Sequence, residues 1–290
     1  MTILEKIIAD KRKEVELRKH LIPITQLQQS VLFDRAKNSL KNRLTDSPSG
    51  IIAEHKRRSP SKAVINQSLN VQDVAKGYEN AGVCGMSVLT DQKYFGGSIE
   101  DLLAARASCS LPLLRKDFII DPYQIMEAKA CGADVVLLIA SALSRAAIES
   151  LSICAQQLEL EVLLEVHNKE ELEKALMPSL DMIGVNNRNL KTFEVDLKHS
   201  RELSSYIPKD FVKVSESGIN NVAAIKGLKT HGFQGFLIGE NFIKHWKNSG
   251  KKLLFSPAQT AKISDFNKNS NAQKAGLLKG DVLFAVDGVK

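Results

Sequence analysis

The chain has 290 residues, of which 43% are hydrophobic and 25% charged, and its formal net charge is +7. This length can bury one large core and fits an eight-unit α/β barrel with extensions better than two average domains. The positive charge has two interpretations, a site for anionic substrates or a lysine-rich surface. The lysines are scattered and no basic patch is interleaved with aromatic residues, so we favour the surface and expect no nucleic acid partner.

The sequence predicts a cytoplasmic protein that does not bind membranes. Residues 1–20 contain no apolar signal core, and the longest apolar stretch, around residues 135–140, is far too short to cross a bilayer. The four cysteines lie too far apart for a zinc site or a redox pair. We expect them to be small buried residues in a reducing compartment.

Two helices are predicted before the first strand. Ile3, Ile7, Val15 and Leu17 recur among Lys, Arg and Glu, which is typical of an amphipathic helix ending before Pro23. A second helix is predicted over residues 32–44. Both precede the repeating part of the chain, so they either cover one end of it or lie across a substrate.

From residue 51 onward one unit repeats: a short buried strand, a polar or glycine-containing loop and an amphipathic helix. The predicted strands are residues 51–56, 86–90, 113–117, 134–139, 161–166, 182–186, 211–215 and 235–239. The predicted helices are residues 71–81, 99–107, 122–130, 145–158, 169–176, 197–206, 220–228 and 240–247. Strictly alternating units imply parallel strands with right-handed crossovers, and eight of them close into a (β/α)8 barrel. An open doubly wound sheet is disfavoured because the strands are apolar on both faces and no dinucleotide fingerprint follows the first.

Polar residues end almost every predicted strand. The active sites of this fold lie at the C-terminal ends of the strands, so these residues are expected to meet in one place. They are Glu54, Lys56, Lys116, Glu165, Asn186, Arg188, Glu216 and Ser217. Each alone could form a surface ion pair or cap a loop, but buried charges at so many strand ends are costly unless they serve a site.

Two histidines, His55 and His167, also lie near these strand ends, and a packing role is favoured for both over a catalytic one. Period-two alternation places Glu54 and Lys56 on one face of the first strand and His55 on the other, toward the helices. His167 follows Glu165 by two positions, either on the same strand face or already in the loop. Packing in the loop is favoured for it over a catalytic role.

The last two loops have the glycines of a phosphate site. SESGI, at residues 215–219, and LIGEN, at residues 237–241, each place a glycine just ahead of a helix. Barrels often bind phosphate with backbone N–H groups of the loops after strands seven and eight, where glycine allows close approach. Glu240 could contribute only its backbone N–H, and Ser59 could donate its hydroxyl.

Six segments together resemble indole-3-glycerol-phosphate synthase, a barrel enzyme family of tryptophan biosynthesis. They read IIAEHKRRSPSK, SVLTDQKYFGGSIEDL, LPLLRKDFIIDPYQI, LLEVHN, IGVNNRNL and VSESGI, and the match runs in order from about residue 3 to about residue 254. The resemblance implies a carboxy-lyase. It closes the ring of 1-(2-carboxyphenylamino)-1-deoxyribulose 5-phosphate to give indole-3-glycerol phosphate, with loss of carbon dioxide and water. No metal or organic cofactor is expected.

The resemblance also implies catalytic roles. Lys116 matches the general acid that acts on the ketone oxygen. Lys56 matches the lysine that pairs with the substrate carboxylate and assists later proton transfers. Glu165 matches the carboxylate that handles protons in the dehydration, with Glu54 nearby.

The remaining matches surround the substrate. Polar residues at the mouth of the site are Asn186, Ser217, Glu216 and Arg188, of which the first two are grouped with the catalytic residues. The phosphate site is matched by Ser59, Gly218, Gly239 and the backbone of Glu240. The apolar residues that hold the aromatic ring are matched by Phe95, Phe118 and Leu190.

Three segments are expected along the chain: a helical extension over residues 1–48, the barrel over 49–255 and a tail over 256–290. Residues 271–290 resemble the middle of a PDZ domain, but the elements of a peptide groove are missing. We therefore expect no independent domain there. The predicted partner is the sugar-phosphate substrate with its anthranilate ring, and the protein is expected to be a monomer. Phosphoribosylanthranilate isomerase and a non-catalytic barrel platform are the alternatives.

Overall fold

Eight parallel strands form a closed barrel in the order in which they occur along the chain. The computed structural model describes residues 2–60, 62–66, 69–189 and 194–239, together with the strands at 260–262 and 282–284. The barrel strands are β1 (Ile51–His55), β2 (Gly85–Leu89), β3 (Leu113–Lys116), β4 (Val135–Ile139), β5 (Glu161–Val166), β6 (Met182–Asn186), β7 (Val212–Glu216) and β8 (Phe233–Ile238). Because β1 pairs with both β2 and β8, the wall is closed and the predicted (β/α)8 barrel is confirmed.

Helices precede the barrel and alternate with its strands. They are α1 (Ile3–Leu21), α2 (Ile24–Leu27), α3 (Leu40–Asp46), α4 (Val71–Asn80), α5 (Gln92–Phe95), α6 (Ile99–Arg106), α7 (Pro122–Ala130), α8 (Arg145–Gln157), α9 (Lys169–Ala175), α10 (Lys198–Leu203) and α11 (Val222–Lys229). Polar side chains such as Asn70, Asp121 and Asn168 accept a backbone N–H from the first turn of the helix that follows. These caps satisfy N–H groups that have no partner within the helix.

Two apolar layers lie on the two sides of the barrel wall. Ile52 belongs to the layer inside the barrel, with Leu114 and Leu163, whereas Ile51 and Ala53 pack against the helices. This alternation puts Glu54 inside and His55 outside, as predicted. Residues that face inward at the C-terminal ends of the strands therefore enter one shared space.

The N-terminal extension covers both ends of the barrel. Leu40 and Leu44 of α3 join the inner layer and lie against Gly85 and Gly235, near the N-terminal ends of their strands. A Cβ at either glycine would lie within 3.2 Å of one of these leucines. α1 lies at the opposite end, where its first residues line the central cavity. The extension thus covers one end of the barrel with α3 and lines the cavity at the other end with α1.

The predicted helix over residues 32–44 is wrong in its first half. A turn occupies residues 31–34, and α3 begins only at Leu40. Ser39 caps this helix, and the Glu161 carboxylate accepts the backbone N–H groups of Leu40 and Lys41. The start of the helix is therefore set both by the Ser39 cap and by contacts with the barrel.

Two strands of the tail are described, β9 (Thr260–Lys262) and β10 (Val282–Phe284), and they pair antiparallel. β10 falls within the PDZ-like stretch. The rest of the tail and the predicted helix over residues 240–247 lie outside the described residues. Within the described part of the chain, no helix combines the length and apolar character of a membrane span.

Candidate active site

A cavity of about 710 Å³ opens at the C-terminal ends of the barrel strands. Its volume is within the range of small-molecule sites. Predicted site residues that line it are Glu54, Lys56, Ser59, Phe95, Lys116, Phe118, Glu165, Asn186, Arg188, Glu216, Ser217, Gly218 and Gly239. Leu190 and Glu240, also predicted, lie outside the described residues. Every predicted site residue that the structure describes thus lines the same cavity.

Lys116, the last residue of β3, lies between two carboxylates. Its Nζ is 3.1 Å from Oε2 of Glu165 on β5 and 3.2 Å from Oε2 of Glu216 on β7. Burial alone would lower the pKa of Lys116, but the charges of Glu165, Glu216 and Glu54 outweigh it and raise the pKa. Lys116 is therefore an ammonium group that can donate a proton or a hydrogen bond into the cavity.

Glu54 and Lys56 form a second ion pair at the end of β1. Lys56 Nζ donates to Glu54 Oε1 at 2.6 Å. Burial would raise the pKa of Glu54, yet the charges of Lys56 and Lys116 hold it below its usual range. Gly239 makes room for this carboxylate, since a Cβ there would lie 2.9 Å from Glu54 Oε1. One function of this predicted phosphate-site glycine is therefore to accommodate Glu54.

Both oxygens of the Glu165 carboxylate are in contact with other side chains. Its Oε1 accepts a hydrogen bond from Asn186 Nδ2 at 3.1 Å, while Oε2 contacts Lys116. Burial opposes ionisation, but Lys116 and His167 lower the pKa of Glu165 to about 2. Glu165 is therefore ionised.

Glu216 has the opposite electrostatic setting. Burial raises its pKa to about 7, helped by the negative charges of Glu165 and Glu54 and only partly offset by Lys116. Its Oε1 has no hydrogen-bond partner among the described residues. A Cβ at position 184 would lie only 2.4 Å from this oxygen, so Gly184 makes room for it. The cavity thus contains one acid that titrates near neutral pH.

An apolar wall lies beside the charged groups. The ring centroids of Phe95 and Phe118 are 6.0 Å apart with an interplanar angle of 41°. Ile3, Leu4 and Ile7 of α1 also line the cavity. These three residues were missed as site residues because amphipathic spacing shows that a helix packs but does not show against what.

A sharp turn follows β7 at the predicted phosphate site. Ser217 and Gly218 both adopt left-handed backbone conformations, with φ of 66° and 79°. A Cβ at Gly218 would lie 2.4 Å from Val195 Cγ1, so only glycine fits. The buried amide of Asn187 supports this turn by donating to the carbonyl oxygens of Glu216 and Ser217. Asn187 was not predicted, although it directly follows Asn186.

The loop after β1 is held against α5 and α6, the helices that follow β2. Arg58 donates to the backbone carbonyls of Gln92 and Lys93, and Arg57 pairs with Asp101. Ser59 and Lys62 exchange backbone hydrogen bonds, and both line the cavity. These contacts bring the Ser59 loop over the site.

Fold and site define a (β/α)8 barrel with lysines and glutamates around one cavity, an arrangement suited to acid–base chemistry. Comparisons with known proteins identify its family. The family described as indole-3-glycerol phosphate synthase matches residues 4–253. The chain belongs to the indole-3-glycerol phosphate synthase family, the decarboxylating lyases of tryptophan biosynthesis to which its motifs pointed.

Individual relatives agree with this assignment. Indole-3-glycerol phosphate synthase of Bacteroides thetaiotaomicron is 50% identical over 242 residues, covering 83% of this chain and 93% of that protein. The enzyme of the same name from a Polaromonas species is 42% identical over 246 residues, with the same two coverages. The alternatives of an isomerase and of an inactive platform are therefore set aside.

More distant solved structures share the fold. N-acetylmannosamine-6-phosphate 2-epimerase from Clostridium perfringens superposes with a TM-score of 0.56 at 11% identity, covering 74% of this chain and 95% of that one. A chain of the tryptophan synthase complex from Pyrococcus furiosus gives 0.51 at 12% identity, covering 70% and 92%. At such identities the likeness concerns the fold alone.

Proposed function

We propose that this chain converts 1-(2-carboxyphenylamino)-1-deoxyribulose 5-phosphate to indole-3-glycerol phosphate in the cavity, with Lys116 as general acid. The observation that most supports this is the ammonium group of Lys116 between Glu165 and Glu216. Successive proton transfers on one substrate need an acid and a base close together, and Lys116 and Glu165 are in direct contact.

The substrate is anchored through its two anions and its ring. The turn at Ser217 and Gly218, together with Ser59, Gly239 and the Glu240 N–H, binds the phosphate. Lys56 pairs with the carboxylate. The aromatic ring packs against the apolar residues Phe95, Phe118 and Leu190. Arg188 and Asn186 line the mouth of the site around the substrate. Holding both ends folds the flexible chain so that the reacting carbons meet.

Ring closure begins when the aromatic carbon attacks the ketone. Negative charge develops on the ketone oxygen, and Lys116 donates a proton to it. The high pKa of Lys116 does not prevent this, because the alkoxide that receives the proton is itself strongly basic. Loss of carbon dioxide then restores the aromatic ring.

Donation by Lys116 also activates Glu165. The charge of Lys116 is the largest influence that lowers the pKa of this carboxylate. Once Lys116 is neutral, Glu165 becomes a stronger base and removes the proton needed for dehydration, while Lys56, with Glu54 beside it, protonates the hydroxyl group that departs as water. The product lacks the carboxylate of the substrate, so each turnover takes up one proton from solvent.

Indole fluorescence with the synthetic substrate tests the proposal. The wild-type protein is expected to form the fluorescent product, and Lys116→Ala to lose about 10²- to 10⁴-fold in kcat. Lys93→Ala, which removes an exposed lysine outside the cavity, serves as the control and is expected to keep wild-type activity. Comparable rates for Lys116→Ala and the wild type would exclude Lys116 as the acid.

Cytoplasmic location, a monomeric state and independence of metal ions and cofactors stay predictions that accompany this function. Sedimentation at working concentration and activity after treatment with a chelator test the last two. A dimer mass or loss of activity with the chelator would require revision of these points while leaving the reaction itself in place.

A further inference from the structure

His167 lies between two carboxylates just after β5. Its Nε2 is 3.5 Å from Oε1 of Glu165, and its Nδ1 is 3.2 Å from Oε2 of Glu171 on α9. The side chain is only 12% exposed, and Nε2 has no hydrogen-bond partner among the described residues. The sequence favoured packing in the loop for His167. Packing alone does not explain why both ring nitrogens face carboxylates.

Glu171 is itself held in a fixed orientation. Asn168 caps α9 by accepting the backbone N–H of Glu171, and Glu171 Oε2 accepts the backbone N–H of His167 at 2.8 Å. The same oxygen therefore faces both the backbone and the ring of His167. These hydrogen bonds hold Glu171 against Nδ1 of the ring, and Nε2 lies toward Glu165.

The protonation state follows from the partners. A neutral imidazole has one N–H, so donation to Glu171 from Nδ1 would leave a lone pair on Nε2 facing the Glu165 carboxylate. Only the imidazolium can donate to both. The groups that face His167 are Glu165 from β5, Glu171 from α9 and Glu216 from β7, with Lys116 beyond Glu165. Burial lowers the pKa of His167, but these three carboxylates outweigh it and raise the pKa.

We infer that His167 and Glu171 form a positioning pair that acts through Glu165: the imidazolium orients this carboxylate and keeps it ionised until it is needed as the base. The inference rests on the proposed function, in which Glu165 is the base. Asn186 and His167 share Oε1, which leaves the orientation of Glu165 fixed when Lys116 turns to the substrate. After Glu165 has taken a proton, the positive charge of His167 also favours its release for the next cycle.

Kinetics of His167→Gln test the inference. This variant keeps a donor but no charge, so KM is expected to change less than about twofold, whereas kcat falls about tenfold because Glu165 loses its contact with the imidazolium. The acidic limb of the kcat profile is expected to move up by about one pH unit, because Glu165 loses a neighbouring positive charge. An unchanged kcat and pH profile would overturn the inference.

Glu171→Gln and Glu170→Gln form a matched pair of controls on the first turn of α9. Glu171→Gln removes the partner of the ring and is expected to lower kcat at neutral pH by a smaller factor than His167→Gln, because the ring then loses part of its positive charge there. Glu170 is exposed, so Glu170→Gln removes the same charge away from the ring and is expected to leave kcat unchanged. Equal losses of kcat in both variants would point to a general charge effect and overturn the positioning role.

Nuclear magnetic resonance of the histidine ring separates this inference from the proposed reaction. In the wild-type protein, His167 is expected to titrate above the ordinary range for histidine, with both ring nitrogens protonated at neutral pH. The midpoint is expected to fall in Glu171→Gln. A neutral ring at pH 7 would overturn the inference even if the enzyme is active. Absence of product formation with a protonated ring would instead overturn the proposed function.

Discussion

Neighbouring residues of β3 enter two buried charge clusters that differ in how well their charges are matched. Arg115 points outward into the outer cluster, which contains Lys11, Arg18, Asp91, Arg115, Asp117 and Glu127. Lys116 points inward into the inner cluster, which contains Glu54, Lys56, Lys116, Glu165 and Glu216. Strand alternation alone separates them.

The outer cluster matches its charges and has a structural role. Lys11 Nζ is 3.0 Å from both Asp91 and Asp117, and its side chain is 1% exposed. Arg115 pairs with Asp117 and Glu127, and Glu127 also pairs with Arg18. Because Lys11 and Arg18 belong to α1, the cluster fixes that helix over the barrel mouth and places its apolar residues in the cavity.

The inner cluster leaves charge unmatched at the cavity. Three carboxylates share two lysines, since Lys116 contacts both Glu165 and Glu216. A carboxyl whose pKa is about 7 beside one whose pKa is about 2 shows how unevenly the positive charge is shared. The contrast teaches that balanced charge stabilises the fold, whereas an excess of carboxylates keeps groups ready for proton transfer.

The largest effect on stability is expected from breaking the outer cluster with Arg115→Met. Removing one partner leaves Asp117 and Glu127 buried with too little positive charge, which costs about 3–5 kcal/mol in the free energy of unfolding. The turnover of the folded fraction is expected to change far less than in Lys116→Ala. Urea unfolding and indole fluorescence measure the two quantities. Arg12→Met, at an exposed position of α1, is the control and should have wild-type stability.

If Arg115→Met instead abolished turnover without loss of stability, the division between the two clusters would be wrong. The outer cluster would then belong to the catalytic machinery.

The next effect is expected from Glu216→Gln and depends on pH. The pKa of Glu216 is raised from an ordinary 4.5 to about 7, so ionising it in the folded protein lowers the free energy of unfolding. This destabilisation is absent below pH 4.5 and is complete above pH 7. Glutamine cannot ionise. The variant is therefore expected to be more stable than the wild type at pH 8, by on the order of 3 kcal/mol, and nearly equal at pH 4.5. Urea unfolding at both values measures the difference.

Glu173→Gln is the control for this pH dependence because Glu173 is an exposed residue of α9. Its difference from the wild type should be the same at pH 4.5 and pH 8. A Glu216→Gln difference that does not grow with pH would show that Glu216 is ionised at little cost, and that the inner cluster is better matched than described.

A third effect concerns a neutral network, the amide of Asn187. It donates to Ser215 Oγ and to two backbone carbonyls, and it accepts from Ser200 of α10. Asn187→Ala leaves these buried groups unsatisfied, which costs about 1–3 kcal/mol. Because the Ser217 turn loses its support, KM is expected to rise as well. A stability loss with an unchanged KM would show that the turn does not depend on Asn187.

Much of the fold could be predicted because its pattern is local. Strand limits agree with prediction to within two residues, since apolar runs and turn residues are visible in any short window. The inward direction of Glu54, Lys116, Glu165 and Glu216 followed from the rule that barrel sites lie at strand ends. Sequence alone therefore grouped residues far apart in the chain.

What escaped prediction depends on contacts between distant parts of the chain. Lys11 looks like a surface lysine until its two aspartates are known to lie beneath it. Asn186 and Asn187 are the same residue type but point in different directions. Asn186 contacts Glu165, whereas Asn187 contacts the turn after β7, and strand register decides which does which. His167 had an uncertain direction for the same reason. The ambiguities at the two asparagines and at His167 arise because a one-residue shift reverses the face of a strand.

The smallest effect is expected where neither charge cluster is touched, in Phe95→Leu. The Phe95 and Phe118 rings are in a tilted contact, and such pairs contribute about 0.5–1.5 kcal/mol beyond the area they bury. Loss of this contact should raise KM by about 2- to 10-fold while kcat and its pH profile stay as in the wild type, because no ionisable group has moved. Steady-state kinetics across pH measure this. A shift in the pH profile would mean that the apolar wall also sets the charge balance of the inner cluster, and the two sides of the cavity could no longer be treated separately.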